Sequence, residues 1–249
     1  MRFVSVILIF FFPYASFSEN QVHIIESKTQ KCIISNGFPN HKIGEFPNKH
    51  NPNSFKTQKL KFCFTKIPKK NISYTNRAKI IGVTITGIPI RPETADWYDA
   101  SAPRQHSKNK SSGWNLEAIT PNNKLFGLDV NNGHVDNKGL YHYHGIPKVD
   151  LNNHIENSLI GYAADGYEIH YLGSEIKSSW ILKKGHRKTK PYGEYDGSFF
   201  QDYTYLEGLG NLDECNGGIL NLKYVYFATD TFPFFPRCHW GSISNYFTR

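Results

Sequence analysis

Apolar residues along this chain come in short runs broken by polar ones, and no stretch repeats them convincingly at the i, i+3, i+4 spacing of an amphipathic helix. Leu60, Phe62 and Phe64 alternate with Lys59, Lys61 and Cys63, which predicts an amphipathic strand within 59–70. Residues 80–90 are rich in β-branched side chains and predict the best single strand of the chain, broken by Gly87 and Pro89. Asp165-Gly166 is a hairpin signal, after which Tyr167, Ile169 and Tyr171 alternate. Turn formers lie between such runs, among them Asn36-Gly37, Pro39, Pro47 and Asn51-Pro52-Asn53. Residues 96–113 are polar and irregular and read as an exposed insertion, with His106 facing solvent. Phe232 to Pro236 form a rigid apolar segment expected to close the core beside Cys238. The pattern predicts a mainly β protein.

The most informative run is Tyr141-His142-Tyr143-His144. On a strand, residues i and i+2 share a face, so the two tyrosines point one way and the two histidines the other. The bland reading puts the aromatics inward and leaves the histidines solvated. An internal repeat bears on the choice. Leu128–Gly133 recurs as Leu212–Gly217, and each copy is followed by a Tyr-x-Tyr-x run, 141–144 in one and 224–227 in the other. Where the first copy has His142 and His144, the second has Val225 and Phe227. The architecture therefore does not demand histidines there. The repeat, spanning 127–147 and 211–233, predicts a sandwich or barrel-like unit built from two related halves, with irregular insertions.

Two imidazoles about 7 Å apart along one strand face can lean together onto a single cation. The loop 129–137 is rich in oxygen ligands but fails as an EF-hand: Gly133 comes one place early, and Leu140 stands where the closing Glu belongs. A tight turn presenting His134 is the better reading. The candidate ligands are thus His134, His142 and His144, with Asp129 as the carboxylate that orients one of them. Imidazole donors suit copper or zinc. Three protein ligands would leave an open position, but no general base can be named, so no reaction is assigned. His41 and His50 fall on loops, and His170 faces away from Tyr167, Ile169 and Tyr171; each reads by default as solvated, although His170 could approach His142 and His144.

The stretch 127–147 resembles the motif that names the YHYH family of secreted and periplasmic proteins. Neighbouring runs agree: Gly161 to Ile169, Tyr195-Asp196-Gly197, Leu212 to Gly217 and Tyr226 to Pro236, together covering roughly Ile80 to Gly241. The segments Ser35 to His41 and Phe46 to Asn53 are similar as well. The resemblance implies export and carries no established activity. It also implies histidines in the second repeat of many members, from which Val225 and Phe227 depart.

Composition fits export. Arg2, an apolar run from Phe3 to Phe12 and small residues at Ser16 and Ser18 predict a signal peptide over 1–18, hence a secreted protein, or a periplasmic one in a Gram-negative host. The run is well short of the ~20 residues that span a bilayer. Residues 19–79 read as an N-terminal β/loop extension packed on a core domain at 80–249. The net charge of +8 falls by one, to +7, without Arg2, and with export this argues against nucleic acid. Lys183, Lys184, Arg187 and Lys188 form the one strong basic run. They suit a solvated hairpin tip or contact with an anionic surface or glycan, the basis of a second functional reading as an interaction module. Glu194, Asp196, Asp202 and Glu207 interleave with aromatics as in sugar-binding sites, but nothing fixes a carboxylate separation. Four cysteines in an exported chain suggest disulfides, paired Cys32–Cys63 and Cys215–Cys238 because each pair sits in one region.

Overall fold

The computed structural model describes residues 19–76, 79–120, 125–148 and 159–248. The expected leader, residues 1–18, and the polar linker around Asn152-Asn153-His154 lie outside the described residues. The chain is mainly β, and among the described residues no helix is long and apolar enough to cross a membrane. Strands β1 (Val22–Glu26), β2 (Gln30–Ser35) and β3 (Leu60–Thr65) form an antiparallel meander. The alternation read from 59–64 puts Phe62 and Phe64 inward, where with Ile33 they pack on Ile80, Val83, Tyr162 and Phe247. Cys32 lies directly opposite Cys63 and is bonded to it.

Strand β4 (Thr75–Asn76) precedes β5 (Gly82–Thr84) and β6 (Pro89–Ile90). Residues 80–90 are thus a hairpin rather than one strand. The turn closes where Gly87 takes φ +80° and lies so near Ser35 that a Cβ there would collide with its side chain. Next come β7 (Glu93–Tyr98), β8 (His106–Ser107) and β9 (Asn115–Glu117), which form a small sheet in the region expected to be irregular. The remaining strands are β10 (Gly133–Val135), β11 (Tyr141–Tyr143), β12 (Leu159–Ala163), β13 (Glu168–His170), β14 (Trp180–Leu182), β15 (Tyr203–Tyr205), β16 (Gly217–Leu220), β17 (Lys223–Phe227) and β18 (Cys238–His239).

Eight of these make the main sheet, in the order β10-β11-β6-β5-β12-β13-β17-β16. At its centre β5 and β12 run antiparallel, with Val83 opposite Tyr162. Two glycines permit this approach: a Cβ on Gly82 would meet the Tyr162 carbonyl, and one on Gly161 the Val83 carbonyl. Outward from the centre, each side has a hairpin, then a parallel pairing, then a terminal hairpin. The terminal hairpins are β10–β11 and β16–β17, at opposite ends of the sheet. Both are held in one way. Asp129 Oδ1 accepts from the backbone N–H groups of Asn131 and Gly133, while Oδ2 accepts from the Tyr141 hydroxyl at 2.8 Å. Asp213 does the same for Cys215, Gly217 and the Tyr224 hydroxyl, also at 2.8 Å. Burial and the adjacent carboxylate push both tyrosine hydroxyls far above their ordinary pKa, so they remain donors.

The basic run is less exposed than its sequence suggests. Arg187 is buried, held by Asp202 through Nε at 2.7 Å and Nη2 at 2.6 Å, with Asp196 also on Nη2. It is not available to an outside partner, and the same pairing occupies two of the carboxylates singled out for sugar chemistry. Lys183 is half-buried and donates to the Gln201 carbonyl, whereas Lys184 and Lys188 are exposed.

The four cysteines form the two expected disulfides, the second tying Cys215 before β16 to Cys238 on β18. Opening it by C215A/C238A releases a constraint over a sequence separation of 23 residues. We expect a loss of roughly 3 kcal/mol in urea unfolding. Tyr141→Phe and Tyr224→Phe should each cost about 1.5–3 kcal/mol, since each removes a partly buried bond to a carboxylate. Denaturation midpoints of the two variants check both the size and the match.

Candidate metal centre

The centre is built on the β10–β11 hairpin. Antiparallel pairing puts His134 directly opposite His142, so His134 sits on a strand and not in the tight turn expected for it. His144 is two residues beyond His142 and shares its face. The opposite face carries Tyr141 and Tyr143, both fully buried in the main core with Ile90, Val135 and Ile169. The three imidazoles form a nearly equilateral set, with centroid separations of 4.7, 4.8 and 4.9 Å. Their candidate ligand atoms all lie within 4.8 Å of one another. No other group of three His, Cys, Asp or Glu side chains so placed occurs among the described residues.

His142 and His144 are not solvated; they are only 4% and 2% exposed, and His134 is half-buried. His134 Nδ1 donates to the Phe126 carbonyl at 2.7 Å, and His142 Nδ1 to the Leu140 carbonyl at 3.1 Å. Those bonds fix the tautomer of both rings and leave each Nε2 with its lone pair. Nε2 of His134 lies 3.1 Å from Nε2 of His144. Since His134 Nδ1 already holds the proton of that neutral ring, His144 Nε2 is the donor between them. His144 Nδ1 is buried and makes no well-formed hydrogen bond, but the Pro92 carbonyl lies near enough to raise the ring's proton affinity and to accept a proton placed there. Moving the His144 proton to Nδ1 would free three lone pairs toward one point.

Burial lowers the pKa of all three rings, markedly for His142 and His144, and mutual proximity lowers those two further. The neutral form favoured here is the form that ligates. Nitrogens at 2.0–2.1 Å from a tetrahedral ion lie about 3.3 Å apart. One pair is already near that distance, and the donor set is one that suits copper or zinc. All four cysteines are in disulfides, so thiolate ligation has no basis among the described residues.

Asp129 does not touch the imidazoles; its two oxygens hold the hairpin and Tyr141, and the orienting acceptors are backbone carbonyls instead. His170 is buried beside Glu168 at 2.9 Å on the far side of the sheet centre, apart from the trio. His41 bonds the Tyr143 hydroxyl on the tyrosine face, and His50 is exposed. His106 is not solvent-facing: its side chain is 10% exposed, with Nδ1 3.4 Å from Asp96 and its ring against Phe126. Sequence gave no signal for Arg91, whose Nη1 pairs with Asp136 at 2.8 Å beside the trio. In the β16–β17 hairpin the corresponding positions are Gly218, opposite Val225, and then Phe227. Val225 and Phe227 there join Leu212 in an apolar cluster.

A family model described as YHYH protein matches residues 61–241. No curated protein and no solved structure matches the chain.

In the metal-free protein the buried rings make stability depend on pH. Their folded pKa values lie below the unfolded value of about 6.5, so the unfolded chain binds more protons under acid conditions. Stability is complete above about pH 6.5 and declines as pH falls from there toward the lowered folded values. H142V/H144F removes two of these groups and should flatten the decline. Urea midpoints at about pH 7.5 and about pH 5 measure the difference.

Proposed function

The chain belongs to the YHYH family, and we propose that it is an exported metal-binding protein that holds copper or zinc through His134, His142 and His144. The observation that carries this reading is three mutually close imidazoles, two of them fixed to backbone carbonyls by their outer nitrogens. Such second contacts orient rings in metal sites. Buried imidazoles with unsaturated nitrogens cost free energy that a cation would recover. Two disulfides fit an oxidising compartment, as the expected leader does.

We also read the two arms of the main sheet as related halves. Supporting this are the palindromic strand order, the symmetric Gly82/Gly161 contacts and the matching Asp–Tyr bonds in the terminal hairpins. On that reading the apolar trio Gly218, Val225 and Phe227 is the template for a hairpin without a metal site. The rival reading, a module docking to an anionic surface, keeps Lys184 and Lys188 but loses Arg187.

The deciding experiment titrates copper and zinc into the purified, untagged protein and into H142V/H144F. The parent should take up one ion per chain, while the variant folds and loses at least about a hundredfold in affinity, in line with removal of two of three ligands. Uptake by the parent should persist below about pH 6.5, since burial has already lowered the proton affinity of the rings. Equal binding by both proteins would sink the assignment.

A further inference from the structure

A divalent ion on this site would have three neutral ligands and no carboxylate or thiolate among them. The acids whose charge reaches the rings are already engaged, Asp136 by Arg91 and Asp129 by the Tyr141 hydroxyl and two backbone N–H groups; Arg237, whose charge acts on His144, is itself paired with Glu117 through bonds of 2.9 and 2.8 Å. A site with almost no solvent around His142 and His144 would then hold two uncompensated positive charges, which burial penalises heavily. The remaining coordination position therefore calls for an anion.

Arg91 is placed to receive one. Its backbone N–H donates to the Tyr143 carbonyl at 2.8 Å as the chain leaves β6, on one side of β11. Its guanidinium reaches Asp136, just past β10, on the other side of β11. Tyr141 and Tyr143 fill the core face, so the side chain crosses β11 on the histidine face. Its charge is felt by all three rings. Arg91 Nε is buried and has no hydrogen-bond acceptor. An orphaned guanidinium N–H on a side chain whose charge acts on all three imidazoles marks a place for a ligand that contacts both.

We infer that the metal at His134, His142 and His144 binds a small monoanion as its fourth ligand, one atom on the metal and another accepting from Arg91 Nε. The class is linear or planar anions with two acceptor atoms, of the size of azide, formate or bicarbonate. This rests on the metal-binding reading above.

The test uses the copper(II)-loaded protein and azide, followed by the azide-to-copper charge-transfer absorption. Arg91→Met removes the donor and the charge; Arg91→Lys keeps the charge and removes Nε. Asp136 still accepts from the Lys138 and Leu140 backbone N–H groups in either variant, which keeps the loop closed. Azide should bind the parent and be displaced by formate. Both variants should retain one copper per chain and bind azide at least about tenfold more weakly, the worth of one charge-assisted bond. Unchanged azide affinity in Arg91→Lys, or no azide binding to the copper-loaded parent, would overturn the inference while leaving the metal site standing. Failure of the parent to take up copper is seen before any anion is added and removes both.

Discussion

The site depends on the two-residue period of β11. That period sends Tyr141 and Tyr143 into the main core and therefore sends His142 and His144 to the other face. A slip of one residue would exchange the two pairs, burying imidazoles among Ile90, Val135 and Ile169. What prevents the slip lies on the tyrosine side. The Tyr141 hydroxyl is anchored on Asp129, and the same carboxylate takes the N–H groups that open β10. One carboxylate thus fixes β11 and β10 together, and with them the placement of His134 opposite His142. The histidines are set in register by a residue that touches none of them.

Much of this was legible because it is local. The face assignment of 141–144 follows from period two alone. The disulfides follow from short separations, and the β3 alternation from six consecutive residues. What stayed hidden depends on partners distant in sequence or without a side-chain signature. Nothing in the run 183–190 announces that Arg187 will be buried on Asp202. Glu117 and Arg237 lie 120 positions apart. The acceptors that orient His134 and His142 are backbone carbonyls, which every residue possesses. Residues 80–90 fold into a hairpin because Gly87 must turn against Ser35, a contact that strand propensity cannot report.

Burial of the histidine face was equally unreadable, and it changes the meaning of the motif. Solvated imidazoles would titrate near their ordinary pKa and hold a metal loosely, with water competing at every position. Buried ones are kept neutral and have two outer nitrogens tied to the backbone, so little ordering would remain for the proposed ion to impose. The cost falls on the metal-free protein, in which buried polar atoms such as His144 Nδ1 lack a well-formed hydrogen bond.

That cost is what separates the two terminal hairpins. Each has the same Asp–Tyr anchor and the same strand register, and each presents three positions on the face away from the core. In one, Phe227 and Val225 fill the space with apolar contacts, and Gly218 leaves room for the Phe227 ring, to which a Cβ would come within 3.3 Å. This arrangement leaves no polar atom unsatisfied in those side chains and needs no ligand. In the other, three imidazoles occupy the corresponding positions, and a half-buried arginine stands near them with a buried, unused Nε–H. If stability alone chose the residues, the apolar solution is available at the same anchor and is the cheaper one. The fold alone does not call for histidines at 134, 142 and 144; the proposed metal would.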